Sequence, residues 1–186
     1  MILNAITRRV SMLAVAGLLP AMLVAAEPEK SIELEKEGVD LVRQVEEIAR
    51  DVRSHAGRLN QFIRQPQISK ATHVYHLDQI RNRVNENLKP AMERLTELRP
   101  ELPDWKQKNI EMLFETAKSL ADDATDAILA KREGRTTPPA MNAEYKALIE
   151  RVYLHSDNLV KASDAAGAYA AARLKAHSAG IAVAKK

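Results

Sequence analysis

Histidine is the side chain in this sequence whose spacing could do chemistry. His73 and His76 stand three residues apart, so on a helix they share a face and could chelate one metal ion through imidazole nitrogens. His55 lies about as far before the first proline break (Gln65-Pro66-Gln67) as His76 lies after it. At about 1.5 Å per residue, a chain that folds back at that break brings the two to nearly the same height. A metal site of His55, His73 and His76 is therefore one expectation. A second pairs His73 with Met141 as axial ligands of a b-type haem, since each lies a few residues from a turn at the same end of the molecule. The plainer reading competes with both. Only one of His73 and His76 can point squarely at a seam between helices, and neither Glu-x-x-His nor His-Glu-x-x-His occurs. On that reading one imidazole is buried and hydrogen-bonded, its neighbour is exposed, Met141 fills core space, and the chain uses no cofactor.

Other reaction chemistry is absent from the pattern. The chain has no cysteine, which excludes disulfides, thiolate metal sites, covalent c-type haem, a cysteine nucleophile and a lipid-modified cysteine. No Ser-His-Asp order, glycine-rich phosphate loop or isolated carboxylate pair is present. The 25 acidic residues lie mostly on charged faces, where neighbouring carboxylates carry no information. His155 falls on an apolar stripe and reads as a buried neutral imidazole or a register-fixing polar residue. Trp105 reads as a cover for one end of the fold, and Tyr75, Tyr145, Tyr153 and Tyr169 as packing or surface residues. The expectation is a protein that is not an enzyme.

The elements that must position these residues are helices. Glycines are few, and prolines gather at Gln65-Pro66-Gln67, at Pro100 to Pro103, and at Gly134 to Pro139, leaving four long segments. The first, from about Lys30 to Arg64, carries Leu34, Leu41, Val45, Ile48, Val52, Leu59 and Phe62, in steps of four and three with His55 occupying one step. The second runs from about Ser69 to Leu98, with Pro90 inside it predicting a kink near residue 86. The third begins at Asp104, whose carboxylate and Gln107 suggest a capping box, and ends at Gly134. Its stripe is Ile110, Leu113, Ala117, Leu120, Ala124 and Ala127. The fourth, from about Ala140 to His177, carries Met141, Tyr145, Leu148, Val152, His155, Leu159, Ala162, Ala166 and Tyr169. Short loops between long helices predict an all-α, antiparallel, up-down-up-down four-helix bundle with coiled-coil-like packing.

Residues 1–26 read as a signal peptide. Arg8 and Arg9 form the positive start, Val10 to Val24 an apolar run broken by Gly17 and Pro20, and Val24-Ala25-Ala26 a cleavage site. The run is shorter than the about 20 residues a membrane-spanning helix needs. Thr7-Arg8-Arg9 is also compatible with twin-arginine export, although Ser11 replaces the usual bulky residue. Residues 27–177 then form the bundle and 178–186 a flexible basic tail. Without its two leader arginines the chain has 28 − 2 = 26 basic residues against 25 acidic. Such balance, with signs alternating along the chain, argues against nucleic acid as a partner. The alanine-rich end of the fourth segment, Ala165 to Ala172, permits close approach of another helix, so self-association or docking there is expected alongside simple pairing of helix ends.

Several short motifs resemble a family of secreted helical-bundle proteins of unknown function. They are Thr72-His73 with Leu77 and Ile80, Val84-Asn85-Glu86, Pro103-Asp104-Trp105-Lys106-Gln107, and Glu144-Tyr145. In that family a Ser/Thr-His pair opens the second helix and a Pro-Trp-Gln element the third. The sequence departs from it at Pro90, where a glycine is more usual nearby. The resemblance implies an exported bundle and supplies no activity. The functional expectation is an exported, periplasmic or extracellular, non-enzymatic bundle acting through its surface, in an envelope interaction, as a scaffold or as a chaperone-like protein. Its partner would be another envelope or secreted protein. The alternative is the metal- or b-haem-binding bundle.

Overall fold

The computed structural model describes residues 26–102, 104–133 and 138–184. The signal sequence falls outside the described residues, except for its last, Ala26. The side chains of Asp104 and Trp105, with their expected capping and covering roles, also fall outside. The described chain is all-helical. Its elements are α1 (Ala26–Phe62), α2 (Lys70–Asn82), α3 (Lys89–Leu98), α4 (Asp104–Glu133) and α5 (Ala143–Ala184). A π-helical turn, Arg83–Leu88, joins α2 to α3 without a break, so the two make one rod. Four helical bodies (α1, the α2–α3 rod, α4 and α5) therefore pack together.

Local chemistry sets the boundaries. Ser69 caps α2, its hydroxyl accepting the Thr72 amide at 3.1 Å. Pro90 has its effect one turn earlier, where an α-helix would drive its ring into the carbonyl of residue 86. There the helix widens, and the Lys89 amide donates to the Val84 carbonyl, five residues back. The Gln107 side-chain amide donates to the Leu102 carbonyl at 2.8 Å, tying the preceding loop to the first turn of α4. α5 starts later than expected. Pro139–Met141 form a 3-10 turn, and the Asn142 side-chain oxygen accepts the Tyr145 amide at 2.9 Å, a better cap than Pro138 or Pro139 offers. Met141 therefore leaves the stripe assigned to it: it is 72% exposed and fills no core space. At its other end α5 continues to Ala184, past the expected stop near His177 and into the expected tail.

The core runs the length of the bundle through Val45, Val52 and Leu59 of α1, Ile80 and Leu95 of the rod, Leu113 and Leu120 of α4, and Tyr145, Ile149 and Leu159 of α5. α1 packs most extensively against α5, and α4 against α5; the seam between the rod and α4 is the sparsest. The α1–α5 contact is close because small residues meet there. Ala49 and Ala56 are buried on α1, and Ser156 and Ser163 on α5. This displaces the expected fourth stripe: Ser156 takes the buried place, its hydroxyl donating to the Tyr153 carbonyl at 2.8 Å, and His155 turns to a part-exposed edge. Tyr169, assigned to the same stripe, is exposed. Ion pairs cross between bodies at Glu37–Arg94, 2.7 Å, Asp51–Arg83, 3.2 Å, and Arg53–Asp157, 2.8 Å. No described helix is long and apolar enough to cross a membrane.

Candidate functional site

The three histidines of the first turn end up in two arrangements. His55 on α1 and His76 on α2 meet with their Nδ1 atoms 2.8 Å apart. One ring must donate and the other accept, so the contact holds only while at least one imidazole is neutral. His73, one helical turn away and 1% exposed, points across the bundle instead. Its Nδ1 is hydrogen-bonded to the Tyr145 hydroxyl at 3.0 Å. The Phe62 ring lies 6.1 Å from His73 and 5.6 Å from His76 between centroids. The spacing of His73 and His76 does put both on one face, but that face is wedged between α1 and α5. Both rings are buried, where one was expected to be exposed.

Burial sets the protonation of this group. It pushes His73 down to about 4, helped by the nearby charges of Lys131 and His76. It lowers His55, with Arg58 adding repulsion, and lowers His76, with His55 and Arg58 adding to it. Burial also raises the Tyr145 phenol. The pair His73–Tyr145 is therefore neutral at physiological pH. A general base needs reach to a substrate proton and a pKa near working pH. His73 has neither.

As a metal site the group is incomplete. Only His55 and His76 converge, because His73 is engaged by Tyr145, and among the described residues no group of three His, Cys, Asp or Glu side chains is placed to hold an ion. The haem pairing fails on geometry, since the Met141 thioether faces solvent from its 3-10 turn while His73 faces the interior. His155, expected in the seam, instead contacts a carboxylate. Its Nδ1 lies 2.9 Å from Asp123 Oδ2, and Arg151 Nε donates to Asp123 Oδ1 at 2.9 Å. This is an interhelical cluster centred on the Asp123 carboxylate.

A second feature was not expected from the sequence. Val84, Leu88 and Met92 of the rod face Phe114, Ala117 and Ala121 of α4 across a groove of ≈ 340 Å³. That volume lies within the about 300–1,000 Å³ of small-ligand sites. Two causes produce it. Ala117 and Ala121 stand where larger side chains would close the seam, and the π-helical turn widens the rod at Val84 and Leu88. Val84, Leu88 and Met92 form a nearly buried floor, while Phe114, 41% exposed, rises as a wall. π-Turns within helices occur often at functional sites. Sequence signals for the groove existed in Pro90, in paired alanines and in an off-stripe phenylalanine, but none specifies an opening by itself.

No family model matches the chain, and no curated protein or solved structure matches it.

Proposed function

We propose that this protein is an exported, non-enzymatic, up-down-up-down four-helix bundle that acts by binding an apolar ligand in the groove between the α2–α3 rod and α4. The groove is the observation that carries this reading. A seam left open forgoes burial worth about 1.5–3 kcal/mol for each large apolar side chain that could fill it. Here an apolar floor and wall surround the open space. A surface function of this kind needs no nucleophile or base, in keeping with His73 held buried and neutral. The topology is supported by ion pairs that join opposite ends of neighbouring helices, early Glu37 of α1 to late Arg94 of the rod and late Arg53 of α1 to Asp157 in the first half of α5. Export to the periplasm or beyond is supported by Arg8, Arg9 and the apolar run that follows them.

The test is binding of N-phenylnaphthylamine, a neutral fluorophore that brightens in apolar surroundings. The mature protein should give saturable enhancement at a single site. Ala121→Leu, which fills the groove, should lose that enhancement while keeping wild-type helicity. No enhancement, or enhancement indifferent to Ala121→Leu, contradicts the reading.

A second reading has one observation behind it, the 2.8 Å approach of His55 and His76, which places two nitrogen ligands together for a metal ion. Metal analysis and an absorption spectrum of protein taken from its native compartment separate the two. Stoichiometric metal that disappears with His76→Phe would favour the second.

A further inference from the structure

The groove's rim says which ligand suits it, given the reading above that the groove is a binding site. Along the rod the lining runs from Val84 to Glu93, roughly 13 Å at about 1.5 Å per residue. That length would suffice for the two turns of apolar anchors a docking helix needs, so the width of the apolar strip decides. Here charged residues hem the strip on both sides, and Phe114 is the one large exposed apolar side chain in the lining. A narrow chain fits such a slot better than a helix does.

Charge gives the other half. Lys89 stands on the rod side of the rim and Lys118 on the α4 side. The rim carries one carboxylate, Glu93, which reaches Lys89 only at 3.9 Å with both groups exposed. Lys118 pairs with no carboxylate among the described residues. Arg99 and Glu111 bond across the same seam at 3.3 Å. Lys89 lies ten residues before Arg99 and Lys118 seven after Glu111, so the two ammonium groups fall within about one helical turn in height. A ligand head between them meets two cations and one anion, Glu93.

We infer that the groove binds a single-chain amphiphile with an anionic head, a free alkyl carboxylate, its chain along Val84, Leu88 and Met92 and its carboxylate between Lys89 and Lys118. A cationic head would face two like charges, and a neutral hydroxyl head would gain a hydrogen bond from a lysine but no ion pair.

Calorimetric titration of the mature protein at low salt, with decanoate, decanol and decyltrimethylammonium each below its micelle concentration, tests this. Decanoate should bind one to one and most tightly, and the cation most weakly. Lys118→Gln should weaken decanoate about two- to five-fold, the range for one exposed ion pair, and leave decanol unchanged. Added salt should weaken decanoate alone. Ala121→Leu should abolish binding of both decanoate and decanol, and Phe114→Ala should weaken both if the leucine variant fails to fold. Equal binding of decanoate and decanol, with no effect of Lys118→Gln, overturns the anionic head and leaves the groove standing. Failure of all three, together with failure of the neutral fluorophore, overturns the groove itself. Binding to phosphatidylglycerol vesicles without binding of decanoate, or displacement of decanoate by an amphipathic helical peptide at lower concentration, overturns the choice of occupant.

Discussion

Acid should weaken this fold through His73, by an amount that the structure lets one calculate. The ring is 1% exposed, hydrogen-bonded to Tyr145 at 3.0 Å, and burial, with the charges of Lys131 and His76, lowers its pKa from 6.5 to about 4. The unfolded chain therefore binds a proton more readily than the folded one between these two values. Stability that depends on the neutral ring is full above pH 6.5 and is lost as pH falls through the window toward 4. Over the whole window the loss is about 3 kcal/mol, and between about pH 7.5 and pH 5 it is about 2 kcal/mol. Urea unfolding followed by circular dichroism at these two pH values measures it. His55 and His76 are lowered as well, so the wild type should lose more than His73 alone explains. The comparison that isolates His73 is His73→Asn, which keeps a polar atom near the Nδ1 position and cannot titrate. The variant should lose about 2 kcal/mol less than wild type over the same pH step. Identical pH dependence in the two proteins would refute a buried, neutral His73.

Three further outcomes follow from the packing and the leader. Tyr145→Phe removes the partner of a buried imidazole and should cost about 1–3 kcal/mol in urea unfolding; a stability equal to wild type would mean that the bond contributes nothing. Leu120→Ala, at a fully buried position on α4, should cost about 2–5 kcal/mol by leaving a cavity, whereas a cost under about half a kcal/mol would place Leu120 at the surface. Intact mass of the protein recovered from its native compartment should correspond to a chain beginning at Glu27, and a mass that retains residues 1–26 would contradict export by cleavage.

The helices were legible because their apolar residues recur with helical period and the prolines punctuate them. Stripes drawn through large residues went astray where small ones matter. Ser156 and Ser163 occupy the α5 seam that His155 and Tyr169 were expected to share, because α1 presents Ala49 and Ala56 there and the backbones come too close for an imidazole. The same logic puts Ala56 in the core beside the part-exposed His55. Pro90 announced a disturbance in the second segment, yet the residue alone does not specify that its lost hydrogen bond is taken up by a π-helical turn. In the candidate sites, the shared face of His73 and His76 was readable from their spacing, and the level approach of His55 to His76 from loop position. The engagement of His73 by Tyr145 was not, because it joins bodies that face each other across the core. The groove was hidden for a different reason. It consists of volume that side chains do not fill, and Ala117 reads in a sequence as one more member of a stripe.

The most direct measurement is a methyl NMR titration of the mature protein with decanoate, following Leu88, Met92, Ala117 and Ala121. The account predicts saturable shifts concentrated at these four residues, with the methyl groups of Leu59 and Ile149 in the core unmoved. Shifts spread along the bundle, or gathered at the histidine end while the groove methyls stay in place, would contradict it.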